Sequence, residues 1–200
     1  MSKKRMLAII VLSATLAATG ARADVTHTSL DATNRSVAAQ GDADETVIRR
    51  LLEQFRTIKI PLSQAVAIAE HLHDGSKTAD VSFEISGPAI YRVRTVGNER
   101  LWENVIDANT GRVTEREVSS SLKELDRENL GKIIALKSVE QELSDAVRIA
   151  EQAAAGSALA GGLVKQDDKL NFVVVIASGD RLKEVTLEPP KVARRGSAHH

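Results

Sequence analysis

Two groups of side chains in this 200-residue chain have types and spacing that could do chemistry. The first is His71, His73 and Asp74, whose imidazole nitrogens and carboxylate are ligands for borderline metals. On a helix, residues two apart point some 200° from each other, so His71 and His73 are no chelating pair, whereas His71 and Asp74 at i, i+3 could share a site. A helix C-terminus also favours His simply for its charge. The second group is Glu84, Arg92, Arg94 and Glu103. Strand alternation puts all four on one face, where they make either a solvated ladder of cross-strand ion pairs or a surface that docks a peptide, by strand addition at a sheet edge. No catalytic residues are assigned. There is no cysteine, no G-x-S-x-G elbow, and no carboxylate pair that stands out as an acid–base dyad. The expectation is a protein that is not an enzyme and takes no cofactor. His199-His200 at the end carries no weight.

The elements that must position these residues begin after a leader. Lys3, Lys4 and Arg5 precede an apolar run, Met6 to Ala18, and Ala21-Arg22-Ala23 reads as a cleavage site. Residues 1–23 are thus expected to be a signal peptide, too short for a membrane span. Removing its four basic residues leaves 27 − 4 = 23 basic against 27 acidic, a net of −4, with no clustered basic surface for nucleic acid. A cleaved, cysteine-free product fits the bacterial periplasm. Residues 24–43 are polar and read as a disordered leader.

From Asp44 apolar residues fall at helical spacing in Ile48, Leu51, Leu52 and Phe55. A second helix runs from about Leu62 to His73, with Pro61 at its start and Gly75 as the left-handed residue after it. Three strands follow: Val81, Phe83 and Ile85 alternate with Asp80, Ser82 and Glu84; Tyr91 and Val93 alternate with Arg92 and Arg94; and Leu101–Asp107 carries Trp102 and Ile106 on its buried face. Turns at Ser86-Gly87-Pro88 and Gly97-Asn98 join them, and Asp107-Ala-Asn-Thr-Gly111 closes the unit. Glu115–Lys137 is charged and helical in character, with Gly131 breaking it, and Ser138-Val-Glu-Gln141 has the form of a capping box.

The stretch LSQAVAIAEHLHDGS at 62–76 returns as LSDAVRIAEQAAAGS at 143–157. Laid at +81 without a gap, 14 of the 48 pairs from Leu62–Asn109 onto Leu143–Pro190 are identical, against roughly three by chance, which marks an internal duplication. His71 and His73 become Gln152 and Ala154, outside the shared design. The expected fold class is α+β: two tandem α-β-β-β units, each a three-stranded antiparallel meander covered by one helix, joined by a helical linker. The boundaries are 44–114 for the first unit with its preceding helix, 115–137 for the linker, 138–192 for the second unit and 193–200 for a flexible tail. The strand Phe172-Val-Val-Val-Ile176 is apolar on both faces, so Val173 and Val175 are expected under the linker helix, the other repeat or a second chain, which makes a homodimer through the second repeat's sheet one expected assembly.

The run IPLSQAVAIAEHLHDGS, followed by VSFEI, YRVRTV and ENVIDANTGRV, resembles the PepSY domain family. Leu62, Ala65, Ile68, Ala69 and Gly75 match the helix half, and Val105–Val113 matches the V-D-x-x-T-G-x-V ending. The second copy keeps Leu143, Ala146, Ile149, Ala150 and Gly156 but has Glu188-Pro-Pro-Lys191 in place of the closing turn. The resemblance implies a role without catalysis, as an inhibitor or chaperone of peptidases or as an extracytoplasmic binding module, with a peptidase or a sensor ectodomain as partner. The alternative is a small-ligand or metal sensor associated with a membrane signalling system.

Overall fold

The helical spacing of Leu52 and Phe55 becomes α1, residues 45–55, whose Phe55 ring meets Phe83 edge-on at 5.1 Å. The computed structural model describes residues 45–85, 87–166 and 169–190. The expected signal peptide, leader and tail, Ser86 of the first hairpin turn, and His199-His200 lie outside the described residues. After α1 come α2 (Leu62–His71), β1 (Lys77–Ile85), β2 (Ala89–Gly97), β3 (Arg100–Asp107), β4 (Val118–Ser121), a 3-10 turn at Leu122–Glu124, α3 (Arg127–Ser138), α4 (Leu143–Ala154), β5 (Ser157–Gln166), β6 (Lys169–Ser178) and β7 (Arg181–Leu187). The class is α+β, with four α-helices and antiparallel strands among the described residues.

The strands do not form two separate sheets. They make a single antiparallel sheet in the order β4-β3-β2-β1-β5-β6-β7. The two meanders meet edge to edge, where Asp80 pairs with Gly162, Val81 with Gly161 and Ser82 with Ala160. Helix α2 packs on β1 and β2, α4 packs on β5 and β6 and reaches β1, and the two helices touch. Their Ala65, Ala69, Ala146 and Ala150 are fully buried and join one apolar cluster with Tyr91, Val93, Phe172, Val174 and Ile176. Tyr91 donates its hydroxyl to the Ile60 carbonyl at 3.0 Å, and burial, with the Glu151 charge adding to it, pushes that hydroxyl's pKa up.

The ungapped +81 correspondence holds in the helices and in the outer strands, where Val93 pairs with Asn104 and Val174 with Val185. It fails in β5. Val81 pairs with Val93, but the partner of Val174 is Gly161, not Gly162, so β5 matches β1 at +80. Both strands carry a bulge at the matching place, between Thr78 and Asp80 and between Ala158 and Ala160. The second copy is one residue shorter between helix and strand and one longer at the hairpin, so the two changes cancel in a linear alignment. The left-handed position is therefore Gly75 (φ +74) in one half and Ala155 (φ +49) in the other. Gly156 does not end its helix as a left-handed residue. It sits so close to β6 that a Cβ would lie 2.3 Å from the Ala177 carbonyl oxygen. The repeated Glu also gains a purpose: Glu70 accepts from the Thr78 N–H and hydroxyl at 2.9 and 2.7 Å, and Glu151 accepts from the Ala158 N–H at 2.9 Å. Each carboxylate ties its helix to the bulge beneath it.

Residues 115–137 are not a continuous helical linker. Val118–Ser121 is a strand on the outer edge of β3, the break falls at the 3-10 turn, and Gly131 lies inside α3. The expected capping box is absent: α3 runs through Ser138, and the residue capping α4, Glu142, makes no side-chain cap bond. Leu52, Phe55 and Ile58 sit 81 residues before Ile133, Leu136 and Val139, which places α3 where α1 stands in the first half. Each of these helices reaches across. Arg56, just after α1, donates to the Gly179 carbonyl at 2.8 Å and pairs with Asp180 in the β6–β7 turn. Ile133 of α3 packs with Val96, Leu101 and Leu122 of the first half, and Lys77 donates to the Val139 carbonyl at 3.0 Å. With α3 committed there, Val173 and Val175 stay half-buried and Val164 is exposed.

Gly156→Ala is expected to lower stability by about 1–3 kcal/mol through overpacking against β6. Gly131→Ala, which would meet nothing within 4 Å, is expected to stabilise α3 by up to about 1 kcal/mol. Urea unfolding midpoints of the two variants check the contrast.

Candidate functional site: an ion-paired sheet face

Alternation along β1, β2 and β3 gathers the four expected charged residues on one face, and the structure adds Asp80 to them. Arg92 stands at the centre. Its guanidinium donates to Glu84 at 3.0 and 3.2 Å and to Glu103 at 2.7 Å. Ser82 donates to the same Glu84 carboxylate at 3.3 Å. Arg94 forms a two-pronged pair with Asp80, one prong at 2.7 Å and the other to the second carboxylate oxygen. The hydrogen bonds that Arg92 donates to Glu84, then the one to Glu103 and the two negative charges, raise the Arg92 pKa despite partial burial. For Arg94 burial opposes the charge, but Asp80 outweighs it and the pKa rises.

Three carboxylates and two guanidiniums thus pair with one another across the face. Side-chain exposures of 20–30% place them between a solvated and a buried ladder. Exposed pairs contribute ~0–1 kcal/mol each, and the two-pronged geometry puts these toward the upper end. Helix α3 also stands at this face. At the Asp80–Arg94 end, Ile133 and Leu136 of α3 help close a cavity of about 30 Å³, room for one or two waters. Asp80 was legible as a polar strand position, but its pairing depended on register across the bulge.

His71, His73 and Asp74 do not converge. His71 Nδ1 lies 2.8 Å from the Ala67 carbonyl on its own helix. His73 stacks on Trp102, with ring centroids 4.0 Å apart and planes 12° apart, and its Nε2 lies 2.7 Å from a Glu117 carboxylate oxygen. Asp74 is exposed at the turn after the helix. Among the described residues, no three His, Cys, Asp or Glu side chains come together to hold a metal ion. Trp102 is buried, as its strand parity implied. The neighbouring Thr95 hydroxyl and Asn104 carboxamide are buried without a hydrogen-bonding partner among the described residues.

The closing turn brings the chain back onto β3. The Asp107 carboxylate accepts from the N–H groups of Asn109 and Thr110 at 2.9 and 2.7 Å and from the Thr110 hydroxyl at 3.0 Å. Gly111 takes the left-handed conformation (φ +70), and a Cβ there would already lie 3.2 Å from Ile68. The returning chain bonds at Asp107 N to Arg112 O and at Thr114 N to Val105 O, both 2.9 Å, and then enters β4. In the second half Pro189-Pro190 stands where Ala108-Asn109 makes this turn.

The hydrogen bonds from Asn109 and Thr110 hold the Asp107 carboxyl below its ordinary pKa. A depressed folded-state pKa contributes stability above the unfolded carboxylate range and loses it as pH falls through the folded value. Asp107→Asn keeps an acceptor oxygen and removes the titration. Its unfolding free energy is expected to fall less steeply with acid than that of the parent below about pH 4, measured by urea titration at stepped pH.

Comparison with known proteins places these observations. Residues 59–117 match the sequence profile of the family described as "Peptidase propeptide and YPEB domain", PepSY. No curated protein matches the chain. Among solved structures, a crystal structure of a candidate lipoprotein from Clostridium difficile 630 is 22% identical, covering 67% of this chain and 89% of that one, with a TM-score of 0.40. The matched segment runs from the strand of residues leading into α2, through the meander and the Asp107 turn, to the threshold of β4. Over residues 59–117, then, this chain is similar to the PepSY domain family.

Proposed function

We propose that this is a non-catalytic protein-binding or regulatory module of the bacterial periplasm, acting on a peptidase or an envelope regulator. The observation that carries the reading is the PepSY match at 59–117, a domain named for peptidase propeptides. The internal identities at +81 support extending it to two tandem domains, 44–114 and 138–192, which the shared sheet fuses into a single body. The sequence of residues 1–23 supports export. No helix among the described residues is long and apolar enough to cross a membrane.

The physical support is of two kinds. The charged residues that could have bound a small ligand are paired with each other, and the cavity beside them, about 30 Å³, has room for a water or two. What the molecule offers instead is extended surface: the face bearing Glu84, Arg92, Arg94 and Glu103, and the long sheet itself. Surfaces of that kind suit macromolecular partners more than metabolites.

Cross-linking the purified mature protein into an envelope extract, followed by affinity recovery, is expected to bring down a peptidase or the ectodomain of a membrane sensor. The recovered peptidase is then expected to lose activity on adding the protein. Failure to recover either, together with a Zn²⁺ or Cu²⁺ melting shift that His71→Ala abolishes, would replace this reading with metal sensing.

A further inference from the structure

The sequence R-L-x-E occurs twice at +81, as Arg100-Leu101-Trp102-Glu103 on β3 and as Arg181-Leu182-Lys183-Glu184 on β7. In the first half these four residues have a partner. They pair antiparallel with Ser121, Ser120, Ser119 and Val118 of β4, and Arg100 donates to the Ser119 hydroxyl at 3.1 Å. The four of β7 occupy the same register against β6 as those of β3 against β2, since Arg94 pairs with Glu103 and Val175 with Glu184. Yet β7 ends the sheet, and among the described residues nothing pairs with its outer side.

We propose that the outer edge of β7 is a binding site for an extended segment of a partner protein, added antiparallel as a further strand in the register that β4 takes on β3. The inference rests on the protein-binding reading above and says where on the molecule binding occurs. The outward groups are set by alternation. The Leu122 N–H bonds the Glu99 carbonyl and the Thr114 N–H bonds the Val105 carbonyl, so the odd-numbered residues of β3 face outward with both donor and acceptor. At +81 these are Leu182, Glu184 and Thr186 on β7. The first half fills its edge from its own chain because the Asp107 turn doubles the backbone back. Pro189-Pro190 has no N–H to close such a turn.

The chemistry of the occupant follows from the copy that is filled. It is extended, with small hydroxyl residues beside Arg181 as Ser119 lies beside Arg100. It also carries a carboxylate one position before its first paired residue. In the first half that carboxylate is Glu117, which meets His73 next to Trp102. In the second, Lys183 takes the Trp102 position and is exposed, with its ammonium 3.1 Å from the Ala154 carbonyl at the place that corresponds to His73. A cation thus stands near where the acidic residue of the incoming strand arrives. Unpaired strand edges are templates for such addition, and this one runs into Pro189-Pro190 and has no paired strand among the described residues.

The test uses the full mature chain, labelled with ¹⁵N, and a synthetic peptide with the sequence of residues 115–123, EREVSSSLK. Tethering gives β4 a local concentration of order millimolar, so the peptide is titrated to that level. The amide resonances of Leu182 and Glu184 are expected to shift and their hydrogen exchange to slow. A peptide with proline at the places of Val118 and Ser120, whose N–H groups would face β7, is expected to bind at least about tenfold more weakly. Glu184→Pro, which removes an outward N–H at an edge where proline is tolerated, is expected to weaken the parent peptide similarly while leaving the circular dichroism unchanged.

No shift on β7, or equal binding of the proline peptide, overturns the proposal. Slow exchange of the Leu182 and Glu184 amides in the free protein, at any concentration or rising with it, also overturns it, since the edge would then be filled by this chain or a second copy. Binding that maps to the Arg92 face instead overturns the site while leaving the protein-binding reading intact.

Discussion

Three residue pairs hold the two halves in a single sheet. Asp80, Val81 and Ser82 of β1 meet Gly162, Gly161 and Ala160 of β5, and in the corrected correspondence Val81 faces its own counterpart. The pairing is self-complementary, as in a symmetric dimer whose subunits have been fused. It also requires small residues on one side. A Cβ on Gly162 would lie 3.0 Å from that of Asp80, and one on Gly161 would lie 3.3 Å from Leu143. The glycines let the backbones close and let α4 settle beside α2 over the junction. Halves of about 55 residues bury only about 60% of their unfolded surface, so a shared core is what makes each viable.

The cross-braces reinforce that seam from both ends. Arg56 after α1 grips the β6–β7 turn, and Ile133 of α3 packs on the ends of β2 and β3. Neither half contains its own brace. The halves differ on the outer surfaces. The first carries an ion-paired face, a closing turn and a covered edge. The second has half-buried valines on the matching face and an outer strand that nothing pairs with among the described residues. The two halves share the framework, and they differ on the outer face and at the outer edge.

The strands, their alternation and α2 were readable because each depends on local periodicity, and the burial of Trp102 followed from parity alone. The seam was not readable. Which edges pair is decided by what covers the other edges, and Gly161-Gly162 looks like a weak strand until β1 stands beside it. The one-residue shift in β5 escaped notice because a shortened helix exit and a lengthened hairpin cancel, leaving Gly75 aligned with Gly156 when its conformational counterpart is Ala155. Strand β4 was hidden in a charged stretch: Val118-Ser-Ser-Ser has no apolar face to announce it. The correspondence of α1 and α3 lies only in the spacing of Leu52 and Phe55 against Ile133 and Leu136. Of the candidate site, the four charged residues were found by alternation, but their mutual pairing depends on side-chain reach that a sequence does not encode.

If the seam and the braces make one body, the halves cannot melt separately. Trp102, the single tryptophan, lies in the first half, while far-ultraviolet circular dichroism reports both. Equilibrium urea unfolding followed by the two signals on the same samples is predicted to give superimposable transitions with a single midpoint. Two distinct midpoints, with tryptophan fluorescence changing while half the dichroism persists, would contradict the account.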